Sequence, residues 1–280
     1  MRIPILPKVT AIAWFALLAL NVCVVFVAYG QDIKPEWLKE SNPVFVGTVL
    51  RLGESSVAGV KASQNTAVVK VDALLSTTQG VSIAEGDEIT IELIDPTQFR
   101  IGSRATFYAE TWVMSKSVAV KELGHEPMQA ALVAASVGPM KQRLQQARLR
   151  KRLDDAETVA LGEVVQIRKA LTATTQRPRI TEHDPNWQEA IIRVDSLFKG
   201  TAGVAQLVVR FPGSQDVQFF GAPKFEVDQT GIFLLQRDVE TGLPKAMLAG
   251  GEVDAFLARR SVNVISIDSL AAVRTALGRQ

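Results

Sequence analysis

His125 and His183 are the only two histidines in the 280 residues, and each could serve as a ligand, a proton carrier or a hydrogen-bonding group. His183 stands in the run Glu182-His183-Asp184-Pro185-Asn186-Trp187. A zinc or catalytic cluster draws several ligands from separate parts of a chain, and immediate neighbours rarely converge on one ion. No metal centre or cofactor is therefore expected. Asp184-Pro185 reads as a turn, with His183 bonded to the backbone. Ser196-Leu197-Phe198-Lys199 has the Ser-x-x-Lys spacing of enzymes that carry both groups on one helical turn. Here the four residues end a predicted strand, where positions i and i+3 face opposite sides, so no catalysis is expected from them. The sequence has no Gly-x-Ser-x-Gly, no His-Glu-x-x-His and no glycine-rich phosphate loop. The expectation is a protein that is not an enzyme and acts by binding.

A binding surface is expected where the chemically dense loops lie. These are residues 183–187 and 211–220, together with the strand between them. Trp187 and Phe220 would offer apolar contact, while His183, Asp184, Arg193 and Asp216 would select polar groups.

Those loops hang on a strand pattern that occurs twice. The first copy reads Val46-Gly47-Thr48-Val49, Val69-Lys70-Val71-Asp72-Ala73-Leu74-Leu75, Ile89-Thr90-Ile91-Glu92-Leu93, then Phe99-Arg100-Ile101 and Phe107. The second reads Leu161-Gly162-Glu163-Val164, Ile192-Arg193-Val194-Asp195-Ser196-Leu197-Phe198, Leu207-Val208-Val209-Arg210-Phe211, then Phe225-Glu226-Val227 and Phe233. Within each block the apolar residues keep a spacing of two, as half-buried strands do. The offset between copies changes only in the gaps, where surface loops accept insertions. Several short strands without a helical crossover rhythm predict small antiparallel barrels.

The order Val-Gly-Thr-Val, long loop, Val-x-Val-x-x-Leu, x-Val-x-Val-x-Phe and Phe-x-Val resembles the OB-type barrel of netrin-like and TIMP-like modules. The resemblance spans each copy, about half of the chain together. It implies a barrel fold for both copies, in tandem, as in exported bacterial proteins of unknown function. Inhibitors of that family use an N-terminal cysteine and disulfides. The only cysteine here is Cys23, within the apolar N-terminal run, so the inhibitory residues do not carry over.

Residues 1–30 read as a signal peptide or membrane anchor. Arg2 and Lys8 precede an uncharged apolar run over residues 9–29, near the length that crosses a bilayer with the N-terminus inside. Ala28-Tyr29-Gly30 would also suit a signal peptidase. Residues 31–43 read as a linker, in which Trp37 would sit at the membrane interface or against the first domain. Residues 44–126 make the first barrel. Residues 127–157 form a helical bridge, in which Pro127 opens a helix stopped by Gly138-Pro139 and a basic stretch follows. Residues 158–280 make the second barrel, with a closing helix over 267–277 and a further short helix over 253–260. The fold class is mainly β. The expected localisation is the cytoplasmic membrane with the body exported, or the periplasm or exterior after cleavage. The partner would be an envelope protein or glycan. A formal net charge of +2 and 6 % aromatic residues do not suit a nucleic-acid binder. An envelope hydrolase and a protease-inhibitor-like module are the alternative readings.

Overall fold

Valine, isoleucine, threonine and phenylalanine dominate the alternating segments, and their branched or flat side chains fit a pleated, half-buried surface. The computed structural model accordingly is mainly β. It describes residues 33–39, 42–77, 82–114, 117–128, 133–171, 183–258, 260 and 263–278. The apolar run over residues 1–30 lies outside them, as do residues 172–182. No helix among the described residues is long and apolar enough to cross a membrane. The chain divides into two compact units, Met1–Ala147 and Arg148–Gln280.

The first unit is built on β1 (Val44–Leu52), β2 (Thr66–Ser76), β3 (Glu88–Glu92), β4 (Arg104–Met114) and β5 (Val118–Pro127). These close into a barrel in the order β1-β2-β3-β5-β4. All pairs are antiparallel except β3 with β5. Inward residues Phe45, Val69, Ile89, Ile91, Phe107 and Val120 fill its core. The fifth strand was not anticipated, because Gly124, His125 and Glu126 interrupt its alternation. Pro127 ends this strand rather than opening a helix.

Residues 33–38, expected as linker, are docked on this barrel. Ile33 and Leu38 are buried with Val44, Tyr108 and Leu144. Trp37 lies against Tyr108, ring centroids 5.1 Å apart, so of its two readings the second holds. Gly124 makes the seat: a Cβ there would stand 2.1 Å from the indole.

The helix α1 (Val133–Asp155) runs straight through the expected stop at Gly138-Pro139. Gly138 lacks the Cβ that normally clashes with a following proline ring in helical geometry. Met140 and Leu144, one turn apart, are buried on the first unit's barrel. Burial of two large apolar side chains, about 1.5–3 kcal/mol each, offsets the roughly 3 kcal/mol an interior proline costs.

In the second unit β6 (Thr158–Lys169), β7 (Trp187–Lys199), β8 (Gln206–Pro212) and β9 (Thr230–Arg237) are joined by the two-residue β12 (Phe256–Leu257). Strand β12 pairs with β8 in parallel and with β9 antiparallel, so the pairing returns on itself as β6-β7-β8-β12-β9. Within 253–260, expected as a helix, residues 256–257 form this strand instead, set between β8 and the end of β9 that β13 does not cover. A small hairpin of β10 (Ala246–Leu248) and β11 (Gly251–Val253) precedes it, and β13 (Val264–Ile265) adds to β9. A 3-10 turn at Ile267–Ser269, capped by Ser266, leads into α2 (Leu270–Ala276). This closes the chain with the short helix expected.

The registers repeat in detail. Three irregularities interrupt the β1–β2 ladder, after Val44, Val46 and Val49. Three interrupt β6–β7, after Val159, Leu161 and Val164, each 115 residues later. Phe99 and Phe225 lie against Phe107 and Phe233, ring centroids 5.6 and 6.1 Å apart.

Candidate functional site

Strand β7 begins at Trp187, whose register partner is Pro212, the last residue of β8. The loop before β7 and the loop after β8 therefore emerge side by side, and backbone bonds join them. Gly213 N donates to Asn186 O at 3.1 Å and Ser214 N to Pro185 O at 3.0 Å. Asp184 Oδ1 accepts from Asn186 N at 2.8 Å, which is the turn the Asp-Pro pair predicts. Asn186 itself takes a positive φ of 47°, tolerable for asparagine. Lys224 Nζ donates to the carbonyls of Pro212 and Ser214, at 2.6 and 2.7 Å, and so ties down the base of the second loop. Burial pulls that ammonium below its ordinary value.

Asp216 fastens the tips together. Its Oδ1 caps the 3-10 turn Val217–Phe219 by accepting from Gln218 N at 2.9 Å, and its Oδ2 accepts from His183 Nδ1 at 2.9 Å. The amide of Gln218 returns to His183 O at 3.0 Å. These bonds, first that of Gln218 N and then that of His183, hold the Asp216 carboxyl below the usual carboxylate range. The link therefore persists above the ordinary aspartate pKa and is lost as pH falls through the lowered one. Beside this clasp the surface is apolar: Val217 is 87 % and Phe220 73 % exposed. Asp216→Ala is expected to cost about 0.5–2 kcal/mol, the range for losing a capping side chain. Faster amide exchange should be confined to residues 183–186 and 213–220, with β7 and β8 unchanged.

The structure thus brings His183, Asp184, Asp216 and Phe220 to one surface with half-buried Trp187 at its edge. Arg193 does not join them. It lies six residues along β7, about 20 Å away at strand spacing, and pairs with Glu163 and Asp195. Composition groups it with the loops, whereas the extended strand carries it away from them.

Ser196 and Lys199, expected on opposite faces, share one. Phe198 is bulged, since Lys199 pairs with Val159 and Leu197 with Ala160, and the extra residue sets positions 196 and 199 on one face. Lys199 Nζ nonetheless bonds the carbonyls of Leu153 and Asp154, at 2.9 and 2.8 Å, closing the end of α1.

Sequence reasoning missed a ladder of charges. Arg168, Glu189 and Arg210 stand opposite one another across β6, β7 and β8. They occupy the face away from the core of Ala190, Ile192, Val209 and Phe211. Glu189 and Arg210 are buried. Glu189 Oε2 accepts from Arg168 at 2.9 Å, its Oε1 from Arg210 at 3.3 Å, and Arg210 pairs with Asp238 at 2.7 Å. Arg210 also reaches the carbonyls of Leu243 and Pro244, and Arg168 that of Met247. The ladder binds the segment after β9 across the sheet. A clue was available: charge recurs at the same cross-strand level where alternation predicts solvent.

Comparison with known proteins finds no matching family model and no matching curated relative.

Proposed function

We propose that the chain is an exported, membrane-tethered binding or scaffolding protein of the cell envelope, acting without catalysis of its own. It comprises two OB-like barrels in tandem. The strand order β1-β2-β3-β5-β4, its counterpart β6-β7-β8-β12-β9 and the irregularities repeated at 115 residues support that description. The basic-flanked apolar run over residues 1–30 supports export and tethering.

One observation carries the binding role. Two loops from neighbouring strands are bonded into a single platform that presents His183, Val217 and Phe220 to solvent. A soluble protein gains nothing in stability from an exposed phenylalanine fixed in place, and such anchors concentrate binding energy when a partner covers them. OB-type barrels bind through loops and one face of this kind. The partner is an envelope protein or glycan.

A photo-crosslinking amino acid placed at Phe220 of the full chain in membranes should form a discrete adduct. The same probe at Arg193 should form none. Phe220→Asp should reduce copurification of the captured partner at least tenfold, equivalent to about 1.4 kcal/mol. Adducts of equal yield at both positions, or turnover of generic ester or peptide substrates lost with Phe220→Asp, would sink this reading.

A further inference from the structure

The first unit holds an open cleft of about 270 Å³, lined by Phe99, Arg100, Ser103, Arg104, His125 and Met128 among others. It lies where the β3–β4 connection meets the start of β4 and the end of β5. On a regular strand Glu122 and His125 would face opposite sides. Tyr108 pairs with Gly124 and Ala109 with Glu122, so Leu123 is an extra residue and the two side chains share a face.

Glu122 is buried, its side chain 2 % exposed. Its Oε2 accepts from Ile94 N at 2.9 Å and its Oε1 lies 2.6 Å from His125 Nδ1. Taking a carboxylate out of water costs several kcal/mol, and one bonded this way returns the cost as geometry. The imidazole is fixed in rotation by this bond, and Phe99 lies against the ring at 4.6 Å. Most buried side-chain polar atoms have a hydrogen-bond partner. Among the described residues His125 Nε2 has no hydrogen-bond partner, and His125 lines the cleft.

Opposite charge is close. No described carboxylate pairs with Arg100. The Arg104 guanidinium is turned away from the core face of Ala105 and Phe107 and is held there by Asp72 and by Thr48, each at 2.9 Å. The nearby Asp95 carboxylate is occupied by Thr97 and Gln98. Ser103 is no nucleophile for His125. It stands four residues before Phe107, the register partner of His125, about 13 Å along the strand. Its hydroxyl accepts from Arg100 N. Recognition remains.

We propose that this cleft binds a small carboxylate carrying a hydroxyl or amino group beside it. The carboxylate faces Arg100, and the neighbouring hydroxyl or amino group hydrogen-bonds His125 Nε2. The site is separate from the loop platform of the second unit, and either can fail alone.

The two histidines allow a direct test on the full chain. Diethyl pyrocarbonate modifies accessible neutral imidazoles, and peptide mass spectrometry resolves His125 from His183. Citrate, lactate and serine supply the proposed group. Tricarballylate is citrate without its hydroxyl. At a ligand concentration ten times its dissociation constant, modification of His125 should slow roughly tenfold, with His183 unaffected. Tricarballylate should protect much less than citrate. Arg100→Gln should abolish protection and Arg100→Lys retain part of it, at an unchanged melting temperature. The proposal is overturned if His125 does not react, if none of the three ligands protects it, or if protection survives Arg100→Gln.

Discussion

Glu189→Ala is expected to destabilise the second unit by about 3–5 kcal/mol, the usual consequence of removing one member of a buried ion pair. The substitution strips Arg210 of one of two carboxylates while its guanidinium remains buried, and strips Arg168 of its partner. Peptide-resolved hydrogen exchange should speed up roughly 10²–10⁴-fold in β7, β8 and residues 238–248, with the first unit unchanged. Arg193→Ala removes exposed pairs instead and should cost no more than about 1 kcal/mol. If the two variants exchange alike, the ladder contributes no more than surface charge does.

The same ladder sets a pH response. Burial alone would raise the Asp238 carboxyl. Hydrogen bonds from Thr241 and Arg210, with the amides of Thr241 and Glu240, outweigh burial and hold it below its ordinary value. A lowered folded-state pKa means stability that is present above the unfolded value and disappears as pH falls through the folded one. The second unit should therefore weaken on acidification below about pH 4, the ordinary aspartate range. Asp238→Asn should flatten that dependence.

Gly162→Ala is expected to be the second severe substitution. The added Cβ would stand 2.2 Å from the carbonyl oxygen of Arg193, an atom fixed in the β7 backbone. The cost should reach about 3 kcal/mol, the upper part of the range for overpacking. At Gly47 the nearest atom is a Val69 methyl at 2.4 Å, which can turn aside, so Gly47→Ala should be milder. Gly221→Ala, in open surroundings, serves as the neutral comparison. Thermal melting of the three variants gives the order.

Much of this architecture was legible in the residues. Spacing of two marked β1, β2, β3 and β9, and the recurrence of Gly47 with Gly162 and Phe107 with Phe233 marked the repeated strand pattern. The places that were not legible share a cause, which is tertiary context acting on short local signals. Strand β5 carries a bulge and a glycine that exists to seat Trp37, so its alternation is broken where it serves another element. Strand β12 is two residues long and is extended only because β8 and β9 await it. Helix α1 passes a proline because its face is covered. Charges at 168, 189 and 210 look solvent-facing until the segment after β9 is laid over them.

The candidate surfaces follow the same division. His183, Asp184, Asp216 and Phe220 were found because loops gather polar and aromatic residues that no strand pattern requires. Arg193 was misgrouped because strand length was not converted into distance. The Glu122–His125 pair was missed because its shared face depends on one bulged residue.

The docked segment over residues 33–38 decides where this protein can be cut. A recombinant first unit begun at Val44 would keep all five strands and still be incomplete. It would bare Val44, Tyr108 and Leu144, leave the groove at Gly124 empty, and offer a sticky apolar face to its neighbours in solution. A fragment begun before Ile33 carries its own cover.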